Sequence, residues 1–463
     1  MRFAVRVLAL PAALTIAAAA PPDPLAAIAA ANGHPALVHL RAVADSTLEG
    51  RRQRLTLDQF GPLQLERRCI ADACSGSWFD GRRLWAFGLN DVALPVDTAD
   101  LPARRTLAAI ASLAFAEPAF RAGGGTAEPA GGGTWRVRAA DGAPLVVSID
   151  PATRALRTVT DASGAVLERF SRTGHAGSAA FALERSGLQT GSYARVETVP
   201  EPLDPPDGAP AAFAGEGTVP LLSDRVPIVP CTLGGRDARC LLDSGATPSA
   251  LTLNFAEALG LEPRGELEIA GFSRFVTGFV DAPRLAAGAA AFERLRLAVI
   301  PAVAQERFDV VVGADLLARV HVAIDRARRR VRITAPQRVA AGEIVPLRFD
   351  GNVPLVDASF DGAPVRALLD TGDAAIVSLG YADYRRGPQW PLAVRVQAQG
   401  VAGGNDAFIV TIPQVRIGPL ALGATRATVN RTQTTAHVGA GMWSRCTIEL
   451  DERDERLGCA APP

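Results

Sequence analysis

One phrase, two apolar residues followed by Asp, a hydroxyl residue and Gly, occurs twice in this chain. It reads Leu241-Leu242-Asp243-Ser244-Gly245 and Leu368-Leu369-Asp370-Thr371-Gly372, with the acids 370 − 243 = 127 residues apart. One copy alone would suit any strand that ends in a turn. The surroundings repeat too. Val219-Pro220-Leu221 is echoed by Val345-Pro346-Leu347, and Val226-Pro227-Ile228-Val229 by Val353-Pro354-Leu355-Val356. Val312-Gly313-Ala314 is echoed by Val438-Gly439-Ala440, and Asp325 and Val331 by Asp451 and Leu457, 451 − 325 = 126 residues on. Landmarks at a nearly constant offset mark an internal repeat. The repeat constrains the C-terminal region to two similar lobes, expected over residues 218–335 and 343–460, and brings two carboxyl groups under one symmetry.

The residue types in the phrase have separate roles. Asp243 and Asp370 supply carboxyls. The hydroxyls of Ser244 and Thr371 can hydrogen-bond across to the partner loop. Gly245 and Gly372 permit close backbone approach. Two carboxyls a few ångströms apart share one proton and titrate as a pair. The ionised member can take a proton from water while the protonated member donates to a carbonyl oxygen, which is general acid–base catalysis without a covalent intermediate.

On Asp243-Ser244-Gly245-Ala246-Thr247 and Asp370-Thr371-Gly372, the C-terminal region resembles the aspartic peptidases. Val311-Val312-Gly313 supports the likeness and His437-Val438-Gly439 supports it in part. The resemblance is to a single-chain, duplicated form of the short retroviral (retropepsin-like) type, as in bacterial members. It implies two β-barrel lobes in pseudo-twofold tandem and Asp243 and Asp370 as catalytic residues. Ser244, Gly245, Thr371 and Gly372 would support them. Water would hydrolyse a peptide or protein substrate with no cofactor and no metal, in a monomer that holds a whole site. In that family the apolar-apolar-Gly phrase packs behind the catalytic loop and leads into a short helix, here Ala314 to Ala318. The shared proton is the known behaviour of aspartic peptidases.

The family also covers its cleft with hairpin flaps. One is expected from Glu266–Gly271 and Phe275–Phe279 around Phe272, Ser273 and Arg274. The other is expected from Arg395–Gln399 and Phe408–Ile412 around residues 400–406, with Gly403 and Gly404 at a mobile tip. One residue departs from the pattern: Asp373 follows Gly372 where the family has a small residue. A third carboxylate would raise the pKa values of its neighbours, or turn away onto a backbone N–H. It leaves an alternative open, a non-catalytic peptide- or lipoprotein-binding protein on the same scaffold. His437 is read as packed or exposed rather than catalytic. Arg326 to Arg330 is read as a solvated turn.

The remaining signals concern compartment and the N-terminal half. The chain has 463 residues, with 48 basic and 48 acidic ones. That balance gives no reason to expect nucleic acid or an anionic membrane as partner. Arg2 and Arg6 precede an apolar run, Val7 to Ala19, the layout of a signal peptide over residues 1–20. The run is too short for a stable membrane span, so an exported protein, periplasmic or secreted, is expected. Export permits disulfides, and Cys69, Cys74, Cys231, Cys240, Cys446 and Cys459 fall into three close pairs in sequence. Residues 24–198 alternate at period two, as in Arg54–Leu57, Leu63–Glu66, Trp135–Arg138 and Leu145–Ser148. An antiparallel β-sheet domain results, with a covering helix at Ala103–Phe115 and mobile glycine loops at Gly123–Gly125 and Gly131–Gly133. The segment Trp78 to Trp85 is similar to a hairpin of periplasmic lipoprotein-carrier half-barrels. Residues 199–217, rich in Pro, Gly and Ala, are expected to be a linker. The domain before it would be a pro-region, an inhibitor or a substrate-presenting module.

Overall fold

The computed structural model describes residues 23–460 apart from 49, 271–273, 302–306, 340–341, 389, 401–402, 445–446 and 452–455. The expected signal peptide, Phe272, Ser273 and Cys446 therefore lie outside the described residues. No helix among the described residues is long and apolar enough to cross a membrane. The fold is mainly β, with five sheets and few helices among the described residues.

The N-terminal region forms two seven-stranded antiparallel sheets rather than one. The first runs through a meander from Leu40–Leu48 to Leu94–Val96, with Arg195–Thr198 returning beside Leu40–Leu48. The second runs from Thr126–Gly131 to Gly191–Ser192 in chain order. Each alternating segment named above falls inside one of these strands. The covering helix is Leu101–Ala111, and its Leu107 and Ile110 pack on Val137, Leu145 and Val147. It stops short of Phe115 because Leu113 takes φ +59°, a left-handed turn that breaks the helical path. The second glycine run is a hairpin turn rather than a mobile loop. Gly131, Gly132 and Gly133 all have positive φ, and Thr126–Gly131 pairs with Thr134–Arg138 across them. The Trp78–Trp85 segment is also a hairpin. Trp78 faces Trp85, and Asp80 Oδ1 accepts from the N–H groups of Arg82 and Arg83 at 2.8 and 2.6 Å.

Residues 199–217 are not only a linker. Ala211–Phe213 pairs with Ala290–Phe292 and becomes the edge of a ten-stranded sheet. That sheet holds Arg236–Asp243 beside Val310–Gly313, in parallel, with Ala250–Thr252 antiparallel on the far side of Val310–Gly313. An eight-stranded sheet repeats this order with Ala363–Asp370, His437–Gly439 and Val377–Gly380. In both, the strand ending at the acid is paired on each side; Leu241, Leu242 and Leu369 are buried and Leu368 is half-buried.

A six-stranded sheet joins the two. Its middle is the antiparallel pairing of His321–Asp325 with Thr447–Asp451. There Ala323 faces Glu449, its own counterpart at 449 − 323 = 126, so the register centres on an equivalent pair. Buried residues of both sheets and of this joining sheet form one continuous core.

Two of the expected disulfides are present, Cys69–Cys74 and Cys231–Cys240, with Cα separations of 4.1 and 5.9 Å. Cys459 is also disulfide-bonded.

Candidate active site

The two acid phrases meet at the ends of their strands. Across the junction the hydroxyls form a reciprocal grip. Ser244 N donates to Thr371 Oγ1 at 2.9 Å, and Thr371 N donates to Ser244 Oγ at 3.1 Å. Ser244 Oγ in turn donates to the carbonyl of Leu369 at 2.6 Å, and Thr371 Oγ1 to that of Leu242 at 2.7 Å. Both residues are buried. Every polar atom of the grip has a partner, which a dry loop junction demands.

The grip holds each glycine against the opposite carboxyl. A Cβ on Gly245 would lie 2.5 Å from Asp370 Cγ, and one on Gly372 would lie 2.5 Å from Asp243 Cγ. Only glycine allows this approach. Each acid also bonds its own loop: Gly245 N donates to Asp243 Oδ1 at 3.0 Å and Gly372 N to Asp370 Oδ1 at 2.9 Å. The two carboxyls are close enough that each bears on the other's ionisation. Behind them, Gly313 and Gly439 play matching parts. A Cβ on either would come within 2.5 Å of the carbonyl of Ala246 or Asp373 respectively. Ala314–Leu317 is the short helix expected after the first of these glycines.

The pair is not symmetric. Asp370 accepts three further hydrogen bonds, from Gly372 N, from Asp373 N at 3.1 Å and from His437 Nδ1 at 3.0 Å. Burial opposes its charge, but the bond and charge of His437 outweigh burial and hold the Asp370 pKa below the usual carboxylate range. Among the described residues Asp243 has no such cation. Burial, and then the Asp370 charge, push its pKa well up. The two shifts run in opposite directions, favouring the charge on Asp370 over Asp243.

Asp373 both turns onto the backbone and stays near the pair. Its Oδ1 accepts from Ala375 N at 2.9 Å, while Oδ2 lies 3.9 Å from His437 Nδ1. Burial and the neighbouring Asp370 charge raise its pKa. Burial works against a charge on His437, yet its bond to Asp370 and the charges of Asp370 and Asp373 give a net upward shift. His437 is thus no bystander, contrary to the sequence reading. The missed signal was a mismatch within the repeat: His437 stands where the first copy has Val311. Asp370, Asp373 and His437 place three ligand-type atoms within 4.8 Å of one another. His437 Nδ1 links the three, 3.0 Å from Asp370 Oδ2 and 3.9 Å from Asp373 Oδ2.

The other expected residues fall as follows. Arg264–Ala270 pairs with Arg274–Ala282, so the first flap candidate is a hairpin. The second is tighter than expected. Val394–Gly400 pairs with Gly403–Ile417 as far as Gly400 opposite Gly403, so Gly403 and Gly404 are strand residues at the tip rather than a seven-residue loop. Asp325 ends a strand and accepts from Arg328 N at 3.0 Å, and Arg328 and Arg330 pair with it, so the basic run is a turn.

A second unanticipated element comes from the N-terminal region. Asn90 donates from Nδ2 to Asp315 Oδ2 at 2.7 Å and accepts from Arg296 N at 2.8 Å. Asp315 is buried and accepts from Ser249 N at 3.0 Å and Ser249 Oγ at 2.5 Å. Ser249 Oγ accepts from Gly313 N at 2.8 Å. A chain of bonds therefore runs from Asn90 to the glycine behind the Asp243 loop.

Residues 229–316, which include the Asp243 loop, match a family model described as aspartyl protease. Among solved structures, a crystal structure of a retropepsin-like aspartic protease from Rickettsia conorii matches at 16% identity. The match covers 26% of this chain and 94% of that one, with a TM-score of 0.22. No curated protein matches the chain. The two disulfides, Cys69–Cys74 and Cys231–Cys240, are compatible with an exported protein.

Proposed function

We propose that the protein is an aspartic endopeptidase in which water is activated between Asp243 and Asp370. The observation that carries this reading is the pair of carboxyls, each held against the opposite loop's glycine, gripped by Ser244 and Thr371 and made unequal by His437. Asp370, held ionised, takes a proton from water. Asp243, holding the proton, donates it to the scissile carbonyl oxygen as the tetrahedral intermediate forms. Both acids come from one chain, which supports a monomeric enzyme. The substrate is a peptide or protein.

Asp243→Asn and Asp370→Asn should each abolish hydrolysis of an unstructured protein substrate while the thermal transition of the protein persists. Full activity in either variant sinks the assignment. Asp373 supports a second reading, since it places a third carboxyl beside the pair. Retained peptide binding without cleavage by the unmodified protein at any pH from acid to neutral would favour a binding protein on the peptidase scaffold.

A further inference from the structure

The N-terminal region encloses a cavity of about 300 Å³ that the proposed chemistry does not use. Residues of both N-terminal sheets line it. Leu57, Phe79 and Leu188 give it apolar walls, and Gln64, Glu66 and Arg185 supply polar groups.

Two of these groups are underemployed. Arg185 is only 4% exposed. Its guanidinium donates to Gln59 Oε1 at 3.2 Å, Gln189 Oε1 at 3.3 Å and the carbonyl of Ala182 at 3.3 Å, all neutral acceptors at long range. Its guanidinium also lies 4.7 Å over the Phe181 ring, and the charges of Glu66 and Glu168 act on it, but among the described residues no carboxylate oxygen hydrogen-bonds it. A buried cation without an ion-pair partner is costly, and burial drives its pKa down. Gln64 is 6% exposed, and its Oε1 accepts from Gln189 Nε2 at 2.8 Å. Its Nε2 has no partner. Both groups are donors, both are buried, and both line the same cavity.

The complement of two such donors is an anion. Arg104 is committed to Asp100 at 2.8 Å, so Arg185 is the lining cation that no direct ion pair engages. Glu66 lines the same space and Glu168 is buried nearby, burial raising the pKa of each. A doubly charged ligand would meet these acids, whereas a single carboxylate matches the planar fork of Arg185 with one oxygen left for Gln64. We infer that the N-terminal region binds a monocarboxylate with a short apolar body, its carboxylate on Arg185 and Gln64 and its body against Leu57, Phe79 and Leu188. That chemistry belongs both to the C-terminal residue of a peptide and to a free N-acylated amino acid. The site stands independently of the Asp243–Asp370 reading.

Isothermal titration of the full-length protein tests this. The probes are N-acetyl-leucine, N-acetyl-leucinamide, inorganic phosphate and, in the Asp243→Asn variant, a pentapeptide ending in leucine with a free carboxylate. N-acetyl-leucine should bind at one site, with the amide weaker by about tenfold or more for loss of the charge-assisted bonds. Arg185→Met and Gln64→Leu should each weaken binding, and Gln64→Leu carries the test if Arg185→Met fails to fold. Pentapeptide binding at least equal to that of N-acetyl-leucine assigns the site to peptide C-termini, and its absence assigns it to free acids. Equal binding of amide and acid, equal binding of phosphate, undiminished binding in Gln64→Leu, or no saturable binding at millimolar N-acetyl-leucine overturns the inference.

Discussion

Replacing His437 with valine, the residue at the matching position 311 of the first lobe, isolates what the histidine does for the pair. His437 Nδ1 lies 3.0 Å from Asp370 Oδ2. A hydrogen bond to a charged group contributes about 1.5–3 kcal/mol net. At about 1.4 kcal/mol per pKa unit, its loss should raise the Asp370 pKa by roughly one to two units. The sign follows from the native state. His437 favours the ionised form of Asp370, so removing it favours the protonated form, and the general base is lost at a higher pH as the solution is acidified. The acid limb of kcat/KM against pH should therefore move upward by about one to two units. The assay is hydrolysis of a fluorogenic peptide across the acid-to-neutral range, with a thermal melt at each pH to separate inactivation from unfolding. His437→Gln keeps a donor without the charge and should shift the limb by less, since a neutral hydrogen bond contributes about 0.5–1.5 kcal/mol. An acid limb that stays in place or moves down in a folded, active His437→Val protein would refute the role assigned to His437.

Two further perturbations probe the framework. Thr371→Val keeps the shape of the side chain but removes both grip bonds of Oγ1, leaving Ser244 N and the Leu242 carbonyl buried and unpaired. It should lower stability by about 2–4 kcal/mol in chemical denaturation, with a fall in kcat that Thr371→Ser restores. Asn90→Ala removes one bond to buried Asp315 and one to Arg296 N. Differential scanning calorimetry should show a loss of about 2–3 kcal/mol, and because Asn90 leads through Ser249 to Gly313, kcat should fall while KM changes little. An Asn90→Ala protein as stable and active as the parent would mean that the N-terminal region does not support the site.

How much of this was legible in the sequence depends on how far apart the partners lie. The acids, hydroxyls and glycines of the two phrases could be read because each carries its role in its own side chain and the repeat doubles the signal. Paired strands such as Trp135–Arg138 and Leu145–Ser148 could be read from alternation, because one face of each is in the core. The split into two N-terminal sheets could not, since alternation says which face is buried but not which strands neighbour each other. Gly131–Gly133 illustrates the same limit: a glycine run permits both a loose loop and a tight turn, and only the pairing of Thr126–Gly131 with Thr134–Arg138 selects the turn. Asn90 and Asp315 are 225 residues apart, and neither residue type signals the other.

His437 and Asp373 lie between these cases, and together they bear on whether the second half of the repeat has decayed. Their counterparts in the first lobe are Val311 and Ala246, at 437 − 311 = 126 and 373 − 246 = 127. An acid introduced alone at 373 would stand beside Asp370 and oppose its ionisation. A histidine introduced alone at 437 would be a partly buried cation facing one carboxylate. Introduced together they offset each other, with Asp373 Oδ2 3.9 Å from His437 Nδ1 and Asp373 Oδ1 tied to Ala375 N. Decay would scatter substitutions without regard to contact, whereas these two meet at the one carboxyl that the proposed chemistry needs ionised. The reading makes a non-additive prediction. Asp373→Ala should move the acid limb down, opposite to His437→Val, because a like charge beside Asp370 is removed. The double variant, which restores the first-lobe residues at both positions, should lie closer to the parent than His437→Val does. Contacting residues show coupling of about 0.5–3 kcal/mol in such cycles. Strict additivity of the two shifts in kcat/KM profiles would mean that the pair are independent departures, and the argument for a tuned second lobe would fail.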